Sequence, residues 1–159
     1  MGSEITFLGS WGQHLNIAKK SIVKVVRRST EKISWPENIS SFGIEGKPLS
    51  VDNESFSFGV PVSGRSSFKV DCFNDVQVSV RCGIDDSVLG FDRPTPMFFE
   101  LWVGGKISAK SPLMVAGKAS VVLSCSVPAG QSVMFKTVPV VEPSPGAYGN
   151  WLMPIFYQL

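Results

Sequence analysis

The sequence predicts an all-β protein: a single antiparallel jelly-roll sandwich of about eight strands, with an N-terminal basic arm or short helix. Three observations carry that prediction. After Pro36, apolar and polar residues alternate in short runs. Turn-forming residues punctuate those runs at near-regular spacing. No helix-length periodic segment lies between them. At 159 residues and 43% hydrophobic content, the chain suits one domain with a sizeable core. The change of pattern divides it into an N-terminal arm, 1–36, and a sandwich domain, 37–159.

The first segment is distinguished by charge. Lys19, Lys20, Lys24, Arg27, Arg28 and Lys32 stand against one acid, Glu31, although the whole chain is only +2. From Leu15 to Arg28 the residues Leu15, Ala18, Ile22, Val25 and Val26 recur at helical spacing, with Lys20, Lys24, Arg27 and Arg28 on the opposite face. That pattern predicts an amphipathic basic helix ending before Pro36. A strand is the rival reading, because "SIVKVV" is rich in β-branched residues.

The strands follow in order. "SFSFGVPV" (55–62) places Phe56, Phe58, Val60 and Val62 on one face. "SSFKVDCF" (66–73) does the same with Phe68, Val70 and Cys72, and "DVQVSVRCGI" (75–84) with Val76, Val78, Val80 and Cys82. "MFFELWVGG" (97–105), "ASVVLSCSV" (119–127), "SVMFKTVPVV" (132–141) and "NWLMPIFYQL" (150–159) continue the series. The run Val121-Val122-Leu123 suits a strand covered on both faces. Pro61, Pro139 and Pro154 each mark an edge, a strand end or a bulge, since proline cannot donate to a ladder. Segments 84–96 and 142–149 are the long irregular connections.

Little in the sequence points to catalysis. The lone histidine, His14, lies before the strands, and no serine or cysteine has an activating signature. No enzyme and no cofactor are expected. Asp85, Asp86 and Asp92 are a weak candidate for a structural calcium, since hard cations need clustered carboxylate oxygens; a solvated acidic loop is the plainer reading. Cys72, Cys82 and Cys125 read as buried free thiols in a reducing compartment. Charged content of 18% is low for a soluble domain and favours assembly. No run is long enough for a membrane span, and the N-terminus lacks the pattern of a secretory signal.

"FGVPV" followed by "FKVDCFNDVQVSVR" (68–81) resembles a stretch in coat proteins of small plant satellite viruses, of the satellite tobacco mosaic virus type. The shared features are Val60-Pro61-Val62, then Phe68, Lys69, Asp71 and Phe73, then Val76, Val78, Val80 and Arg81. "KASVVLSCSVP" (118–128) is similar to a second strand of that family. One departure is that the first 18 residues carry no Lys or Arg, so an RNA-contact role falls to residues 19–32.

The resemblance implies a capsid protein that self-assembles into an icosahedral shell, located in the virion and in the host cytoplasm during assembly. Its partners would be itself and packaged RNA, with Lys19, Lys20, Lys24, Arg27, Arg28 and Lys32 neutralising phosphates and membrane an unlikely partner. Two alternatives stand beside it. One is a movement-type protein binding RNA and membrane surfaces through the amphipathic segment. The other is a soluble β-sandwich recognition module, binding ligand through the connections 84–96 and 142–149.

Overall fold

Alternation of burial along Ser66–Cys72 and Val76–Ile84 sets the architecture, because each strand has one face that must be covered. The computed structural model describes residues 4–8, 14–18, 23–26, 48–56 and 59–158. In chain order the strands are β1 (Glu4–Leu8), β2 (His14–Ala18), β3 (Val23–Val26), β4 (Ser50–Val51), β5 (Glu54–Ser55), β6 (Gly59–Ser63), β7 (Ser66–Cys72), β8 (Val76–Ile84), β9 (Met97–Val103), β10 (Lys106–Lys110), β11 (Val121–Val127), β12 (Ser132–Pro139) and β13 (Tyr148–Gln158). One sheet runs β1-β2-β13-β8-β11, with β6 also on β13; the other runs β10-β9-β12-β7-β3. Pairing is antiparallel throughout both sheets except between β2 and β13.

From β6 to β9 the chain changes sheet at every step, and it does so again from β10 through β13. β1 and β2 are consecutive antiparallel neighbours, and β9 and β10 likewise join as a hairpin. There the Gly104-Gly105 pair takes φ of 59° and 76°, the two left-handed positions of a tight hairpin turn that glycine fills without strain. The core lies between the sheets. Trp151, fully buried, meets Phe99 and Phe135 edge-on at 5.1 Å, and Phe68 stacks on Phe135 at 4.6 Å. Such aromatic contacts add specific geometry to a large area of apolar burial.

The three prolines fall where their chemistry requires. Pro61 is on β6, which among the described residues pairs with β13 alone; Pro139 ends β12; Pro154 lies in a bulge of β13. The bulge inserts one extra residue between Leu152 and Ile155, and Met153 takes φ 49°. That shift returns Phe156 to the core face.

Two expectations are corrected here. Residues 14–18 and 23–26 are strands, not parts of a helix over 15–28. β-branched propensity and an available sheet edge beside β7 outweigh helical spacing. And β11 is not covered on both faces: it alternates, and Val122 is 53% exposed. Among the described residues no helix is long and apolar enough to cross a membrane.

The β4–β5 hairpin packs on the outer face of the first sheet, where Leu49, Val51 and Leu152 form a second buried cluster backed by Phe56. Gly83 makes this approach possible: a Cβ there would lie 2.6 Å from Val51 Cγ1.

Candidate functional site

The chain leaves β8 through Asp85 into a five-residue 3-10 turn, Asp86–Gly90. Asp85, 1% exposed, caps this turn by accepting from the Ser87 N–H at 2.8 Å. Its other oxygen accepts from the Asn150 amide at 2.6 Å, tying the turn to β13. The next carboxylate faces the other way. Asp86 accepts from the Ser50 hydroxyl and from the N–H groups of Asp52 and Asn53, both at 2.9 Å. Asp52 and Asn53 form the hairpin tip with φ of 51° and 62°, a conformation that Asp and Asn tolerate better than other side chains. One carboxylate therefore locks the hairpin to the turn.

Between hairpin and turn lies a groove of about 580 Å³, lined by Pro48, Ser50, Ser55, Asp85, Asp86, Ser87 and Gly90. Its lining mixes apolar surface with the hydroxyl-bearing Ser50, Ser55 and Ser87 and the Asp86 carboxylate. The Ser87 hydroxyl is buried without a hydrogen-bond partner. Phe91, 40% exposed, follows Gly90 and is braced edge-on by Tyr148 at 5.8 Å. The connection 140–148 packs beneath it: Thr95 bonds the Pro145 carbonyl through both its N–H and its hydroxyl. A cleft of mixed polar and apolar lining, with an exposed, supported aromatic ring on the residue after its Gly90 wall, can present hydrogen-bond groups to a hydroxyl-rich ligand and an apolar face to its C–H bonds.

Of the residues singled out in the sequence, Asp85 and Asp86 are brought to this groove, but each carboxylate serves different hydrogen bonds. Asp92 is exposed on the following loop. Among the described residues no three His, Cys, Asp or Glu side chains cluster to hold a metal ion. Lys24 lies on β3 opposite Asp71 in register. Lys19, Lys20, Arg27, Arg28 and Lys32 lie outside the described residues. The three cysteines are buried and free. Burial pushes the Cys72 thiol up to about 12, with Asp71 and Cys125 adding to it, and raises Cys82 and Cys125 as well.

Sequence reasoning missed Ser50, Ser55, Ser87 and Phe91. The one local signal was Asp85-Asp86-Ser87, an acid two residues ahead of a turn N–H. The groove itself joins segments more than 30 residues apart.

Comparison with known proteins gives a consistent picture. The sequence matches the NPCBM/NEW2 domain over residues 13–156. No curated protein matches it. Among solved structures it superposes on the structure of the CBM51-2 and INT domains of Clostridium perfringens ZmpB with a TM-score of 0.67 at 15% identity. That match covers 87% of this chain and 37% of the other, so the chain spans little more than a third of that protein's length. The CBM51 of C. perfringens GH95, solved with methyl-galactose, gives 0.64 at 12% identity, covering 85% of this chain and 98% of that one. The tandem CBM51 modules of the Streptococcus pneumoniae family 98 glycoside hydrolase give 0.58 at 18% identity, covering 89% and 42%.

The capsid expectation is thereby overturned. The family matched is NPCBM/NEW2 and the superposing structures are CBM51 modules, not viral coat proteins. The icosahedral shell, packaged RNA as partner, the virion and the host cytoplasm during assembly all fall with it. The satellite-virus likeness rested on alternating Val and Phe in two strands, a pattern that any sandwich core imposes. The match that counts is continuous, running from β2 through almost all of β13: this chain belongs to the NPCBM/NEW2 domain family.

Proposed function

We propose that this chain is a non-catalytic carbohydrate-binding module, a jelly-roll-type recognition domain that takes a sugar in the groove between the β4–β5 hairpin and the 85–91 turn. The observation that carries the reading is the Asp86 lock: it holds the cleft that carries Ser50, Ser55 and Asp86 in place, with the exposed Phe91 next in sequence to its Gly90 wall. Rigid sites lose less entropy on binding, which matters for small ligands of modest affinity. Support comes from the family and from CBM51 structures solved with GlcNAc and with methyl-galactose. The connections 84–96 and 142–149 supply the aromatic rim and its brace, and Ser50, Ser55 and Ser87 supply the wall.

The test is calorimetric titration of the chain with GlcNAc, methyl-galactose and a panel of oligosaccharides. One or more should bind, and Phe91→Ala should weaken that binding about fivefold through loss of roughly 1 kcal/mol of stacking. Binding unchanged in Phe91→Ala would remove the groove from the account.

A further inference from the structure

The groove makes no use of the opposite side of the molecule, the outer face of β10-β9-β12-β7-β3. Across β9, β12 and β7 the outward residues fall into rows: Glu100, Lys136 and Ser67 in one, Trp102, Met134 and Lys69 in the next. Lys136 Nζ lies 4.1 Å from the Trp102 ring centroid, and Lys110 Nζ lies 4.2 Å from that of Phe98. Glu100, only 5% exposed, accepts from the Trp102 indole N–H at 3.1 Å and pairs with Lys110 at 3.6 Å. The indole is thus fixed in orientation on a half-buried sheet face, with a lysine held on its ring.

The carboxylates on this side are already engaged. Glu100 serves Lys110 and Trp102, Asp71 takes the Ser132 hydroxyl, and Glu142 pairs with Arg65 at 3.5 Å. Among the described residues neither Lys69 nor Lys136 forms an ion pair. A cleft of about 170 Å³ beside Lys136 adds Arg65 and Ser67. The edge strand β3, which carries Lys24, is the middle of the basic segment. Lys136 held on an oriented indole, with Lys69 in the same row as that indole beyond Met134 and neither lysine in an ion pair among the described residues, complements a ligand that alternates negative charge with sugar rings.

We propose that this face is a second binding site, and that its ligand is an anionic glycan. Lys69 and Lys136 meet its carboxylate or sulfate groups, and a sugar ring lies against Trp102. Affinity electrophoresis of the whole chain in polygalacturonate, dextran sulfate and neutral dextran, at low and high salt, tests it. One or both polyanions should retard the chain, less so at high salt, and dextran should not. Retardation by polygalacturonate alone assigns the site to carboxylates, and by dextran sulfate alone to sulfates. The double variant Lys69→Gln/Lys136→Gln should weaken polyanion binding about tenfold or more, and Trp102→Ala should weaken it further at high salt. Phe91→Ala should leave it unchanged, which separates this site from the groove. No retardation of the wild-type chain by either polyanion, or full retardation of the folded double variant, overturns the proposal.

Discussion

Replacing Asp86 by alanine should loosen the β4–β5 hairpin without unfolding the sandwich. Three donors lose their acceptor: the Ser50 hydroxyl and the N–H groups of Asp52 and Asn53. Hydrogen bonds to a charged acceptor are each worth about 1.5–3 kcal/mol net, but the two tip N–H groups are exposed and water replaces part of what is lost. A total of about 1–3 kcal/mol is therefore expected, against a typical stability of about 5–15 kcal/mol. For a chain of this size that lowers Tm by about 2–12 °C, at roughly 2–4 °C per kcal/mol. The hairpin keeps its apolar anchor, since Leu49, Val51 and Leu152 stay buried together. Amide exchange should therefore accelerate across 49–56 while β8 and β13 keep their protection. Asp86→Asn, which retains one carbonyl acceptor, should fall between wild type and alanine. Unchanged Tm and unchanged exchange at 49–56 in Asp86→Ala would refute the claim that this carboxylate holds the groove wall.

Other perturbations test the frame around the site. Gly83→Ala puts a Cβ 2.6 Å from Val51 Cγ1 and should cost about 1–3 kcal/mol by denaturant titration; Val51→Ala in the same chain should recover part of that loss rather than add to it. Trp151→Ala removes a fully buried ring between Phe99 and Phe135 and should cost about 3–5 kcal/mol, enough to unfold a marginal chain, as circular dichroism would show. For Cys72 the sign follows from burial. Its pKa rises from 9.0 to about 12, so the folded state holds the proton that the unfolded state gives up. Its contribution to stability is complete below pH 9 and is lost as pH rises toward 12, so denaturation midpoints should fall across that window. At pH 8 the native thiol should resist a disulfide reagent until denaturant is added.

Much of the sandwich is legible from period-two alternation, because burying one face of a strand dictates it. Phe68, Val70 and Cys72, and Val76, Val78, Val80 and Cys82, all reach the core on the expected side. Proline was equally informative, since the missing N–H constrains position whatever the fold. The segment 14–26 was not legible: helical spacing and β-branching conflict there, and the pairing of β3 with β7 joins residues too distant for a local pattern to record. The site was hidden for the same reason. Asp86 and Ser50 are 36 residues apart, and nothing in "IDDSVLG" shows that one acid turns inward to Asn150 while the next turns out to the hairpin. The likeness to coat proteins misled because shared alternation reports a shared kind of core, and function is carried by sites rather than by the fold.

The central claim, that a sugar is held between the hairpin and the 85–91 turn, is tested most directly by a heteronuclear NMR titration of the chain with the best-binding saccharide from the panel. The account predicts that the largest amide shift changes fall in 48–56 and 85–91, with Ser87 and Phe91 among them. Changes centred elsewhere on the molecule, with these two segments silent at saturation, would contradict it.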